Sequence, residues 1–377
     1  MIENPLVTAN THFALKLFTT LAERERGKNV FISPASVALA LALAANGARG
    51  ATWRAIAQAL ELGDLDLDTL NRANGELMQT LGHIDPQIKL AIANSLWVRN
   101  DIALDPEFLR RCQTAYSAEI ASLNFADPKS MSIINDWVSR QTNGKIERIV
   151  DRIGRDALLF LINAIYFKGN WARQFDPRLT EAGTFTPLTG QSKSHPMMSQ
   201  HGTYRYYASN EFQAISLPYG SERVAMDVFL PTQRSNLTAF CQALSSARWQ
   251  RWQAQFAKTE GSIQLPRFKL AYETSLNDTL KTLGMDIAFG SAADFSGMCR
   301  SETKVHIDEV KHKTFVEVNE AGTEAAAVTS VGMMRASFMP KKTFRMIVDR
   351  PFFCAIRDTQ TGAILFMGAI VDPSADL

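Results

Sequence analysis

The chain has 377 residues, 46% of them hydrophobic, with 40 basic against 38 acidic side chains and a formal net charge of +2. That length buries a large core, and the near-balance of charge removes any global electrostatic reason for nucleic acid or an acidic membrane as partner. Cys112, Cys241, Cys299 and Cys354 lack metal-ligand spacing in a chain too long to need disulfide staples, so they read as buried thiols.

The N-terminal MIENPLVTANTHFALKLF has no basic start followed by a continuous apolar core, and no apolar run approaches membrane-spanning length. The expectation is a soluble, cytoplasmic protein as the sequence stands, and a secreted one if it is a trimmed portion of a longer chain. Helical spacing covers Asn10 to Ala22, and SPASVALALALAANG is an Ala/Leu-rich helix with Ser33-Pro34 as its start and Asn46-Gly47 as its stop. Helical patterns continue through ATWRAIAQAL and DLDLDTLNRANGELMQTLG, IKLAIANSLWVRN changes to a strand, and SMSIINDWVSRQTNGKI returns to an amphipathic helix. From residue 157 strands dominate, interrupted by a helix at TSLNDTLKTLGM. Helices first and strands later, without βα alternation, predict an α+β fold with mostly antiparallel sheets. No repeat, linker or low-complexity tract divides residues 1–377, which read as one large domain.

The stretch NEAGTEAAAVTSVGMMRASFMPKK, residues 319–342, is too long for an ordinary connection. As a strand starting at Thr323, one face carries Thr323, Ala325, Ala327, Thr329, Val331 and Met333, all small or apolar. The other carries Glu324, Ala326, Val328, Ser330, Gly332 and Met334. Nothing on the first face obstructs packing on a core, and Gly322 supplies the backbone freedom of a hinge.

Catalytic chemistry finds no support. G-x-S-x-G, H-E-x-x-H, a Walker loop and G-x-G-x-x-G are all absent. Five of the six histidines read as structural, with His312 set apart; Met197-Met198 and Met333-Met334 read as packing. The RWQRWQ segment at 248–253 reads as a half-buried helix face rather than a base-stacking platform.

Seven ordered motifs then carry a resemblance: NVFISPASVALALALAANGARGAT (29–52), NDWVSRQTNGKI (135–146), LINAIYFKGNW (161–171), LPRFKL (265–270), DFSGM (294–298), HKTFVEVNEAGTEAAAVT (312–329) and DRPFFCAIRDTQTGAILFMGAIVDP (349–373). From about Asn10 to Pro373 the chain resembles the serpin family. The resemblance implies three β-sheets, eight or nine helices and an exposed reactive-centre loop at about 320–345. In inhibitory members a protease cleaves this loop, becomes acyl-linked to it, and is trapped as the loop inserts into the largest sheet.

Counted from Glu320, the family register puts the scissile bond at Ala336-Ser337, which suits an elastase-like protease. KKTFRMIVDRPF is about two residues longer than common in the family, so Arg335-Ala336, suited to a trypsin-like protease, stays open. The hinge implied by resemblance comprises Glu320, Gly322, Thr323, Glu324, Ala325, Ala326 and Ala327. Ser33, Ser36, Asn163 and His312 match the polar shutter cluster under the large sheet, and Trp171 the tryptophan at its top. Asp308 stands where the family often has Ser. The acidic DLDLDTLNRANGEL replaces the basic helix of heparin-activated members, so no heparin site is expected there. No cofactor, metal or enzymatic activity is implied; a monomer able to form loop-linked polymers on heating is. Non-inhibitory action and cysteine protease inhibition are the competing readings within the fold.

Overall fold

A computed structural model describes residues 5–154, 156–233, 235–299, 304–322 and 343–374. The chain opens with α1 (Pro5–Arg24), β1 (Val30–Ile32), α2 (Pro34–Ala45), α3 (Gly50–Ala59) and α4 (Leu67–Gly82). Ser33 caps α2, its Oγ accepting from the Ser36 N–H, and Pro34 occupies the first helical position where no amide hydrogen is needed. All twelve residues of α2 are buried, as expected of a helix apolar on every side. Next come β2 (Ile88–Arg99), α5 (Pro106–Tyr116), β3 (Glu119–Leu123), α6 (Lys129–Gln141) and β4 (Leu159–Gly169).

The second half supplies β5 (Glu181–Phe185), β6 (Lys193–Ala208), β7 (Phe212–Tyr219), β8 (Val224–Pro231), α7 (Leu237–Gln242) and α8 (Ser246–Gln255). It continues with β9 (Ala257–Pro266), β10 (Phe268–Ser275), α9 (Asn277–Leu280), β11 (Glu309–Val318), β12 (Phe344–Ile347), β13 (Phe352–Asp358) and β14 (Ile364–Ile370). Trp249 and Trp252 of α8 are buried against Phe229 and Phe240, the half-buried face its sequence spacing predicts. The four cysteines are free and buried, and Met197 and Met198 are core residues. No described helix is long and apolar enough to cross a membrane.

A five-stranded sheet runs β10-β11-β4-β2-β3, and the remaining nine strands form one hydrogen-bonded sheet. Two of the three expected sheets are therefore continuous, joined through the long β6: its residues 205–208 pair with β7 and its residues 197–206 with β9. Most pairings are antiparallel, as predicted. The exceptions are β2 with β3, β9 with β12, and β4 with β11.

The five-stranded sheet is covered on both faces. Along β4, Phe160, Ile162 and Tyr166 pack with Trp137 and Val138 of α6, whereas Leu159, Leu161, Ile165 and Phe167 face the main core. This explains why β4 reads as an unbroken apolar run rather than an alternating one. Asn163 shares the parity of the core-facing set, and it is the polar break in that run.

Candidate functional site

In the parallel seam between β4 and β11, residues 309–315 pair with residues 160–166 and His312 stands opposite Asn163. Asn163 in turn stands opposite Asn94 of β2, so three polar side chains cross three strands at one level. His312, Asn163, Ser33 and Ser36 are fully buried.

The hydrogen-bond directions follow from one fixed donor. The Ser33 backbone N–H donates to His312 Nε2 at 3.1 Å, so the ring proton sits on Nδ1 and is donated to Asn163 Oδ1 at 2.5 Å. Asn163 Nδ2 then donates to Ser36 Oγ and Asn94 Oδ1. Ser33 Oγ closes the chain by donating to Leu365 O at 2.7 Å, and Thr314 Oγ1 ties β11 to Phe31 O at 2.6 Å. Burial holds His312 neutral, pushing its pKa down to about 3.

The top of the seam is a tight turn at residues 319–322. Trp171 holds it twice: its backbone N–H donates to Ala321 O and its indole Nε1 to Asn319 O, both at 2.9 Å. The indole is fixed by stacking on Tyr219, with centroids 4.2 Å apart and planes 13° apart. Phe175 N–H donates to Glu320 O at 2.8 Å. The buried Glu320 carboxylate accepts from Arg267 Nε at 2.6 Å and from Thr180 Oγ1. Gly322 sits at φ +129, and a Cβ there would collide with Gly169 O and the Trp171 amide. No other residue fits that turn without displacing the end of β4.

The lower end is held by Asp308. Its Oδ2 accepts from the Leu158 and Leu159 N–H groups at 2.6 and 2.9 Å, while its own N–H donates to Leu159 O at 3.0 Å. Charge-assisted bonds of this kind are among the stronger ones available to a backbone. This carboxylate thus clasps β4 and β11. Asn277 donates its side-chain Nδ2 to Asp308 O and accepts from the Val310 N–H through Oδ1.

The structure therefore brings Ser33, Ser36, Asn163 and His312 together, and sets Trp171 against the turn that contains Glu320 and Gly322. Asn94 and Arg267 were not singled out from the sequence. An asparagine inside the apolar run IKLAIANSLWV was the signal for the first; nothing in LPRFKL names a carboxylate 53 residues away as the partner of the second. Thr323, Glu324, Ala325, Ala326, Ala327, Met333-Met334, Arg335, Ala336 and Ser337 lie outside the described residues. Among the described residues no group of three His, Cys, Asp or Glu side chains has metal-binding geometry.

Comparisons with known proteins converge on one family. The model described as "Serpin (serine protease inhibitor)" matches residues 8–373. Human serpin B8 is 37% identical, covering 98% of this chain and 99% of its own; the leukocyte elastase inhibitor of Sus scrofa is 35% identical over the same shares. The crystal structure of the thermophilic serpin tengpin in the native state superposes with a TM-score of 0.92 at 31% identity, covering 99% of this chain and 95% of that one. The shared motifs, the fold and these matches place the chain in the serpin family.

Proposed function

We propose that this serpin is a suicide-substrate inhibitor of serine proteases, whose cleaved loop inserts between β4 and β11. The observation that carries the reading is the parallel pairing of those two strands, with β11 running directly into the hinge turn. A segment returning from residue 323 is antiparallel to both neighbours. Insertion replaces one parallel ladder by two antiparallel ones, which are somewhat better per residue. The small face of Thr323, Ala325, Ala327, Thr329 and Val331 meets the core without obstruction.

Reach is consistent with trapping. The ten residues of β11 span ~33 Å. A returning strand of equal length ends at Gly332, leaving Ala336 just past the lower end of the sheet. A protease esterified to Ala336 is carried the length of the molecule, and its distorted active site fails to deacylate. The favoured bond is Ala336-Ser337 and the favoured target elastase-like, a reading supported by the name of the 35% identical leukocyte elastase inhibitor. Arg335-Ala336 with a trypsin-like target is the second assignment.

The test is incubation with elastase, trypsin, chymotrypsin and subtilisin in turn, followed by a denaturing gel and the mass of the released peptide. A complex with elastase that survives denaturation, with a peptide starting at Ser337, is the expected result. A trypsin complex with a peptide starting at Ala336 moves the bond to Arg335. Cleavage by all four without a stable complex refutes inhibition.

A further inference from the structure

A cavity of about 480 Å³ opens beside the hinge contacts, bounded by the segment after β4 and by β6, β7, β8 and β9. That is the size of a small-molecule site. Trp171, Phe175, Leu217 and Ala225 are buried at its base, beside the polar Gln200, Tyr204 and Ser216. Its exposed rim carries Arg173, Arg205 and Lys258 against Glu222.

Two features bring these cations close together, with the Arg205 guanidinium also donating to Gln253 O and lying 5.7 Å from the Phe256 ring centroid. Arg205 and Lys258 are directly opposed across the β6-β9 pairing, an arrangement in which like charges repel. The Arg173 guanidinium lies over Gly202, which has no side chain to hold it away from β6. Among the described residues none of the three reaches a carboxylate at ion-pair distance.

We propose that this cleft binds a small amphipathic organic anion. Its flat apolar body lies on the Trp171 and Leu217 floor, and a single sulfonate, sulfate, phosphate or carboxylate relieves the repulsion between Arg205 and Lys258. Trp171 and Phe175 also hold the main chain of residues 319–321, so an occupant braces the wall from which the hinge must detach. Binding therefore slows loop release. This regulatory half rests on the inhibitory reading above, whereas the binding half does not.

The probe is 8-anilinonaphthalene-1-sulfonate, titrated by fluorescence against the full chain, with uncharged N-phenyl-1-naphthylamine as the control body. The expected result is a single saturable site for the sulfonate. Affinity falls at least tenfold for the uncharged compound, for Arg205→Ala/Lys258→Ala, and for Thr203→Trp, which fills the exposed rim without removing charge. Saturating sulfonate also slows polymer formation on heating. Circular dichroism confirms that each variant is folded, and the two variants fail independently. Equal affinity in wild type and both variants, or no saturable binding, overturns the proposal. Binding without any protease complex on the denaturing gel leaves the site standing and refutes the inhibitory reading instead.

Discussion

His312 donates its Nδ1 proton to Asn163 Oδ1 across the seam between β11 and β4, so the bond that orders the polar cluster also spans the gap that the proposed loop strand would occupy. Insertion as proposed would move the two residues from adjacent strands to strands ~9.6 Å apart and break that bond. His312→Ala leaves Asn163 Oδ1 and the Ser33 N–H buried without partners, at about 1–3 kcal/mol each. The variant is expected to polymerise at a lower temperature than wild type, as read by size-exclusion chromatography after stepwise heating. An unchanged onset contradicts the role given to this bond.

The same histidine makes stability depend on pH. An unfolded chain takes up its proton near pH 6.5, whereas burial delays this in the folded chain to about pH 3. The contribution is complete above pH 6.5 and declines as pH falls, by up to about 1.4 kcal/mol per unit. Urea midpoints measured between pH 7.5 and 5 are expected to fall more steeply for wild type than for His312→Asn.

A return strand that begins at Thr323 opposite Val318 brings Thr329 level with His312, six residues along each strand. Parity then separates two substitutions that introduce the same residue. Ala327→Arg places a charge on the core-facing side and is expected to convert the inhibitor into a substrate, cleaved without forming a stable complex. Val328→Arg points away from that core, to the face where Lys313 is only partly buried, and is expected to retain more of the complex than Ala327→Arg. Equal behaviour on a denaturing gel refutes the register.

Asp308 clasps the lower end of the seam through the Leu158 and Leu159 amides. Asp308→Ala is expected to speed hydrogen exchange at those two amides by about tenfold, equivalent to ~1.4 kcal/mol of local stability. Exchange in the turn at 319–322, held separately by Trp171 and Phe175, is expected to stay the same.

Glu320 is buried, yet its partner Arg267 is partly solvated, which reduces the value of the pair. Arg267→Ala is expected to cost about 1–2 kcal/mol and to promote polymerisation, because the hinge carboxylate loses its cation. Thermal unfolding followed by tryptophan fluorescence measures the first effect.

Much of this arrangement was legible in the chain because its signals are local. Ser33-Pro34 announces a capped helix, Asn163 interrupts an apolar strand, and Gly322 precedes a run of small residues. What was not legible depends on pairing between distant segments. The β4-β11 neighbourhood is parallel in a sequence whose strands otherwise suggest hairpins and meanders. The Glu320-Arg267 contact and the Asp308 clasp join residues 53 and about 150 positions apart. The continuity of two sheets through β6 follows from one strand serving two partners in succession, and alternation along that strand does not reveal it.

The central claim is that a cleaved loop becomes a strand between β4 and β11, and melting temperatures before and after a single cut in the loop test it most directly. About ten new backbone hydrogen bonds at ~1 kcal/mol each give a gain on the order of 10 kcal/mol. For a chain of this length the melting temperature is expected to rise by about 10–20 °C. A cut chain that melts at or below the temperature of the intact one contradicts insertion, and with it the trapping mechanism.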